Sequence, residues 1–151
     1  MLGRLLILVL LWDGGWWAWR VGRRTVAYQA AKQRAALLGR PLVVVGAPDG
    51  GVTAGYPCGD VTIDLQPSAC PNALQRDVTK PLPFGDDSVV VFASCVLDLV
   101  SDPDKAFAEL MRISGGHLFI VRVEPWTATR YLYPGMRQTV PLAWTRIGER
   151  G

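Results

Sequence analysis

The apolar positions of this chain change rhythm at Pro41. Before it, a short apolar run from Leu5 to Trp12 leads into residues 25–40, TVAYQAAKQRAALLGR, which are alanine-rich and full of strong helix formers. Gly39 and Pro41 form a helix stop signal. After Pro41 the apolar residues come in short runs: PLVVVG (41–46), VTID (61–64), ALQRDV (73–78), SVVVFASCVL (88–97) and HLFIVRV (117–123). Continuous rather than alternating runs are expected of strands buried on both faces of a parallel sheet. Between the last two runs lies SDPDKAFAELMRISGG. There Asp102 can cap a helix, Pro103 suits its first turn, and Ala106, Phe107, Leu110 and Met111 share one face. Gly115-Gly116 ends it. Strand, helix, strand implies a parallel pair with a right-handed crossover. The pattern therefore predicts one α/β domain: an open, mostly parallel sheet of about five strands with few helices, preceded by an N-terminal hydrophobic helix.

The first 24 residues, MLGRLLILVLLWDGGWWAWRVGRR, place four of the six tryptophans between positions 12 and 19. Tryptophan favours the membrane–water boundary, where its ring is apolar and its N–H stays wet. A helix over residues 2–19 would span about 27 Å, a marginal crossing, and Asp13 at mid-bilayer would cost roughly 2.5–3.5 kcal/mol. Arg20, Arg23 and Arg24 follow the run, which predicts that the domain lies in the cytoplasm. Residues 1–24 read as a membrane anchor, single-pass or interfacial, with 25–40 as a connecting helix. A cleaved signal peptide and a soluble helix packing its tryptophans on a partner stay open as alternatives.

Charge sharpens this division. Residues 1–40 hold seven Lys/Arg and one acid, whereas residues 41–151 hold nine Lys/Arg and twelve acids. An acidic body disfavours nucleic acid as a partner. A basic segment beside an apolar one instead suggests anionic lipid head groups. Cys58, Cys70 and Cys95, with His117 as the lone histidine, lack the spacing of a zinc site, so no metal is expected. The cysteines read as reduced residues of the core.

Two features carry candidate chemistry. Gly46, Gly50 and Gly51 follow the first strand, where glycine lets backbone approach a ligand. Asp64 ends the second strand, eighteen residues after Gly46, close to the spacing of an acid that takes ribose hydroxyls. In open α/β sheets ligands bind beyond the carboxyl ends of the strands. Glycine turns and strand-end acids are also common without any ligand.

Residues 77–121, DVTKPLPFGDDSVVVFASCVLDLVSDPDKAFAELMRISGGHLFIV, resemble the class I S-adenosylmethionine-dependent methyltransferases, in particular the small-molecule type called methyltransferase type 11. The resemblance runs through Asp77, Leu82-Pro83-Phe84, Asp87-Ser88, the run Val89 to Ser94, and Val96 to Pro103. It implies a Rossmann-like methyltransferase sheet over residues 41–123 and S-adenosylmethionine as cofactor. By the same resemblance Gly46 and Gly50 line the methionine end, Asp64 holds the ribose, Asp77 faces the adenine amino group with Val78 beside the ring, and Ser94 and Cys95 lie near the donated methyl. The chain departs from the family in several ways: the acid within the family's strand four is absent from the run Ser88 to Val91, the family's LEH reads Leu97-Asp98-Leu99, and the loop before Gly115 is shortened. Pro48 stands where the family has a glycine, and proline offers no N–H. The proline- and glycine-rich residues 48–59 leave no room for the usual helix between the first two strands. Residues 124–151 are too few for the family's last strands, and a hairpin around Pro134-Gly135 is expected there.

These readings imply a membrane-anchored methyltransferase acting on an unknown acceptor, with Asp98 or Asp49 as candidate base. The alternative is a catalytically inactive methyltransferase-like scaffold, or a subunit bound to a membrane protein partner.

Overall fold

The computed structural model describes residues 2–46 and 57–121. The elements run α1 (Leu2–Leu38), β1 (Leu42–Val45), β2 (Val61–Asp64), β3 (Ala73–Gln75), β4 (Val90–Ser94), α2 (Pro103–Ser114) and β5 (Leu118–Val121). The strands form one five-stranded sheet in the order β3-β2-β1-β4-β5. All four pairings are parallel, with Val43 opposite Val61 and Val91, Thr62 opposite Ala73, and Phe92 opposite Phe119. The α/β class, the parallel sheet and the five strands expected from the apolar runs are present. The order reverses direction between β1 and β4, which creates a switch point in the middle of the sheet.

Each face of the sheet buries its own cluster. On one face Val43, Val45, Ile63, Val91 and Ala93 meet Ala106, Leu110 and Ile113 of α2. On the other, Leu42, Val44, Val90 and Phe92 meet Ala27, Tyr28, Ala31 and Ala35 of α1. Because both faces are covered, β1 and β4 are buried at every position, and their sequences read as unbroken apolar runs.

Helix α2 forms where its local signals put it. The Asp102 carboxylate accepts from the Lys105 N–H at 3.1 Å, Pro103 opens the first turn, and Gly115 closes the helix in the left-handed region at φ 57°. Its outer turn straps down the segment before β4. Arg112 donates to the Phe84 carbonyl at 3.0 Å and to Asp86 at 2.7 Å, and pairs with Glu109 at 2.6 Å. Glu109 in turn accepts from the Leu82 N–H at 2.7 Å, and the Arg112 guanidinium holds its carboxyl below the usual range. The Leu82-Pro83-Phe84 turn, a marker of the family resemblance, is thus tied to α2 on the flank of the core.

One unbroken helix runs from Leu2 to Leu38, so the helix over the connecting segment continues directly from the N-terminal one. Two expectations change. No helix among the described residues is long and apolar enough to cross a membrane. Asp13, Gly14, Gly15 and the tryptophans dilute the apolar run, which goes against the single-pass transmembrane option. The cysteines are not all reduced, because Cys58 and Cys70 form a disulfide with their Cα atoms 5.7 Å apart. The chain passes from β2 to the adjacent parallel β3 through residues 65–72 alone, and this short, helix-free crossover carries Cys70 back beside Cys58. Residues 47–56, where the helix after β1 was in question, and the expected hairpin in 124–151 lie outside the described residues.

Candidate functional site

Strands β1, β2 and β4 end together at the carboxyl edge of the sheet, and a cavity of about 670 Å³ opens there. From β1 it is lined by Val45 and Gly46, from the end of β2 by Asp64 and Leu65, and from the segment after β3 by Arg76, Asp77 and Val78. Ser94 closes β4, and Gln66, Pro67, Val96, Leu99, Val100 and Ser101 supply the remaining wall. Parallel strands bring these sequence-distant residues to one edge, because every strand of such a sheet ends on the same side.

The local conformations suit a ligand-facing edge. Gly46 adopts φ 93°, which a side chain would strain, while its N–H continues the ladder to the Ile63 carbonyl at 2.9 Å. Asp64 Oδ1 accepts from the Gln66 N–H at 2.7 Å, fixing the turn out of β2. Asp77 Oδ1 accepts from the Thr79 hydroxyl at 2.7 Å and the Thr79 N–H at 2.9 Å. Those bonds, the hydroxyl's first, hold the Asp77 carboxyl below its ordinary range and keep it anionic. The cavity lining thus includes the carboxylates of Asp64 and Asp77, the Arg76 guanidinium and the hydroxyls of Ser94 and Ser101 within a largely apolar wall.

Of the expected site residues, Gly46, Asp64, Asp77, Val78 and Ser94 come together on this cavity. Cys95 does not line it. Cys95 follows β4 in the left-handed region at φ 60°, outside the strand's alternation, with its sulfur 3.8 Å from the Ser94 hydroxyl. The Cys95 sulfur instead accepts from the Arg24 guanidinium of α1 at 3.1 Å. Asp98 is buried and is also absent from the lining. Asp49 and Gly50 lie outside the described residues. Arg76, the turn Leu65–Pro67 and the segment Leu99–Ser101 were missed from the sequence. Their signal was positional: each lies within a few residues of the end of a buried strand.

No family model, no curated protein and no solved structure matches the chain.

Proposed function

We propose that the protein is a methyltransferase-like domain that holds S-adenosylmethionine at the carboxyl edge of its sheet and works at a membrane surface. The observation that carries this reading is the convergence of Gly46, Asp64, Asp77, Val78 and Ser94 on one cavity at the switch point. Asp64 suits a ribose diol, since an anionic carboxylate accepts from two hydroxyls. Asp77, kept ionised by Thr79, accepts from an exocyclic amine, and Val78 offers an apolar contact to the adenine ring. The glycine conformation at position 46 lets backbone lie against the amino-acid end.

Methyl transfer from a sulfonium asks little acid–base chemistry of the protein when the acceptor is already nucleophilic. The acceptor's lone pair bonds to the methyl carbon as the carbon–sulfur bond breaks. The bonding pair stays on sulfur, giving S-adenosylhomocysteine, and the acceptor's proton passes to solvent. The protein's part is alignment. Asp98 and Cys95, both away from the cavity, have no role in this scheme.

The alternative is a catalytically inactive methyltransferase-like scaffold, and the placement of Asp98 and Cys95 off the cavity favours it. Residues 2–23 of α1 carry exposed Leu, Ile and Trp side chains next to arginines, which suits an interfacial anchor on anionic lipid. The Cys58–Cys70 bridge favours an oxidising compartment for the domain over the cytoplasmic placement read from the arginines. Calorimetric titration of S-adenosylmethionine and S-adenosylhomocysteine into the full chain tests the reading. Saturable binding lost in Asp64→Ala supports it, and no heat from a folded chain assigns the scaffold role.

A further inference from the structure

The direction of α1 relative to the sheet is fixed by three contacts. Near its carboxyl end, Arg40 pairs with Asp87, ahead of β4. Arg34 Nε donates to His117 Nδ1 at 3.4 Å, just before β5. Arg24 reaches Cys95, just past the end of β4. The helix therefore runs antiparallel to the strands, and residues 2–23 project beyond the carboxyl edge of the sheet, on the side where the cavity opens. At about 1.5 Å per residue this projecting part is about 33 Å long.

Among the described residues, the exposed large hydrophobic side chains belong to α1 with two exceptions, Leu65 at 61% and Leu99 at 56% exposure. Both exceptions line the cavity, one beyond β2 and the other beyond β4. Behind Leu99 the wall continues through Val96 and Val100, while the charged groups Asp64, Arg76 and Asp77 sit on the β2–β3 side. The lining is divided, with Asp64, Arg76 and Asp77 on the β2–β3 side and Val96, Leu99 and Val100 on the β4 side, and each side carries one exposed leucine, Leu65 next to Asp64 and Leu99 next to Val100.

We infer that the acceptor is an amphiphile drawn from the bilayer, its apolar part entering between Leu65 and Leu99 against Val96 and Val100. The inference rests on the methyltransferase reading for the word acceptor, but the apolar entry stands on the rim alone. Exposed leucines at a cavity mouth are costly in water and favourable against hydrocarbon. The projecting apolar half of α1 adjoins the same edge of the sheet and, with its tryptophans at the head-group level, would hold that edge close to the lipid.

Photolabelling tests this. The full chain is bound to vesicles of phosphatidylcholine and phosphatidylglycerol containing a phospholipid with a diazirine in its acyl chain, irradiated, and mapped by peptide mass spectrometry. Adducts are expected on residues 2–23 and also around Leu65 and Leu99. Leu65→Gln combined with Leu99→Gln should lower the rim adducts about fivefold or more relative to those on α1. Leu37→Gln, on the exposed side of the docked part of α1, should leave the ratio unchanged. Adducts confined to residues 2–23 would overturn the inference. So would rim labelling given only by a short-chain diazirine amphiphile free in solution. Rim labelling without any binding of S-adenosylmethionine would remove the methyltransferase reading and leave the apolar entry in place.

Discussion

The two halves of α1 share one unbroken helical backbone and differ in what surrounds them. In residues 24–38 the helix presents Ala27, Ala31 and Ala35 to the sheet, and these small side chains let the backbone settle close to Val44, Val90 and Phe92. Tyr28 meets the Phe92 ring edge to face at 5.6 Å and donates to the Cys58 carbonyl at 3.3 Å. In residues 2–23 the large side chains Ile7, Leu8, Leu10, Leu11 and Trp12 are exposed. Trp12, Trp16 and Trp19 meet edge to face in succession along one side, with Arg23 above the Trp19 ring at 4.5 Å. Size therefore inverts the usual expectation. The half with the smaller side chains holds the fold together, and the half with the larger ones leaves them exposed.

Substitutions separate the two roles. The largest effect is expected for Phe92→Ala, which removes a fully buried ring from beneath the docked half. It should cost about 3–5 kcal/mol in urea unfolding. Ala31→Leu should cost about 1–3 kcal/mol, because a larger side chain at a fully buried position pushes the helix off the sheet. An unchanged urea midpoint in Ala31→Leu would mean that the docked half does not contribute to stability.

Acidification should loosen the same half. Burial first, then the nearby charges of Arg34 and Arg40, hold the His117 pKa below its ordinary value. The folded state thus keeps His117 neutral, so stability declines as pH falls below about 6.5, where the unfolded chain takes up the proton first. The Asp87 pKa is lowered by its hydrogen bond from Arg40, so its contribution is present above about pH 4 and fades as pH falls through the folded value. His117→Gln should flatten the decline between about pH 7 and 5 in urea midpoints and leave the lower step in place. The smallest effect on folding is expected from Ile7→Ser with Leu11→Ser, within about 0.5 kcal/mol, since neither side chain is buried in the domain. The same pair should weaken vesicle co-sedimentation severalfold, and a pair that left sedimentation intact would remove the anchor role.

Helix α2 and strands β1, β2, β4 and β5 were legible because their boundaries are chemical: Pro41, Asp102, Gly115 and the turn residues before Val90 stop or start backbone conformations locally. The edge strand β3 is only Ala73–Gln75, shorter than the run ALQRDV suggested, since Arg76 and Asp77 already belong to the cavity wall. Gly46 and Asp64 were readable as strand-end residues, and Asp77 came from the family resemblance. Tertiary placement was not readable. Cys95 adjoins Ser94 in sequence but, with a left-handed backbone and a bond from Arg24, is not part of the cavity lining, and Leu65 and Leu99 come to line one cavity only when β2 and β4 end at the same edge. The disulfide was missed for a related reason, because the separation of 12 between Cys58 and Cys70 becomes proximity only through the short crossover into β3.

That bridge also decides what a cut chain would look like. It closes a ring that contains all of β2 and the turn Leu65–Pro67 of the cavity wall. A protease that nicks the ring at the exposed Gln66 leaves both fragments covalently joined. On a gel without reductant such a sample runs as an intact chain, and with reductant it separates into two.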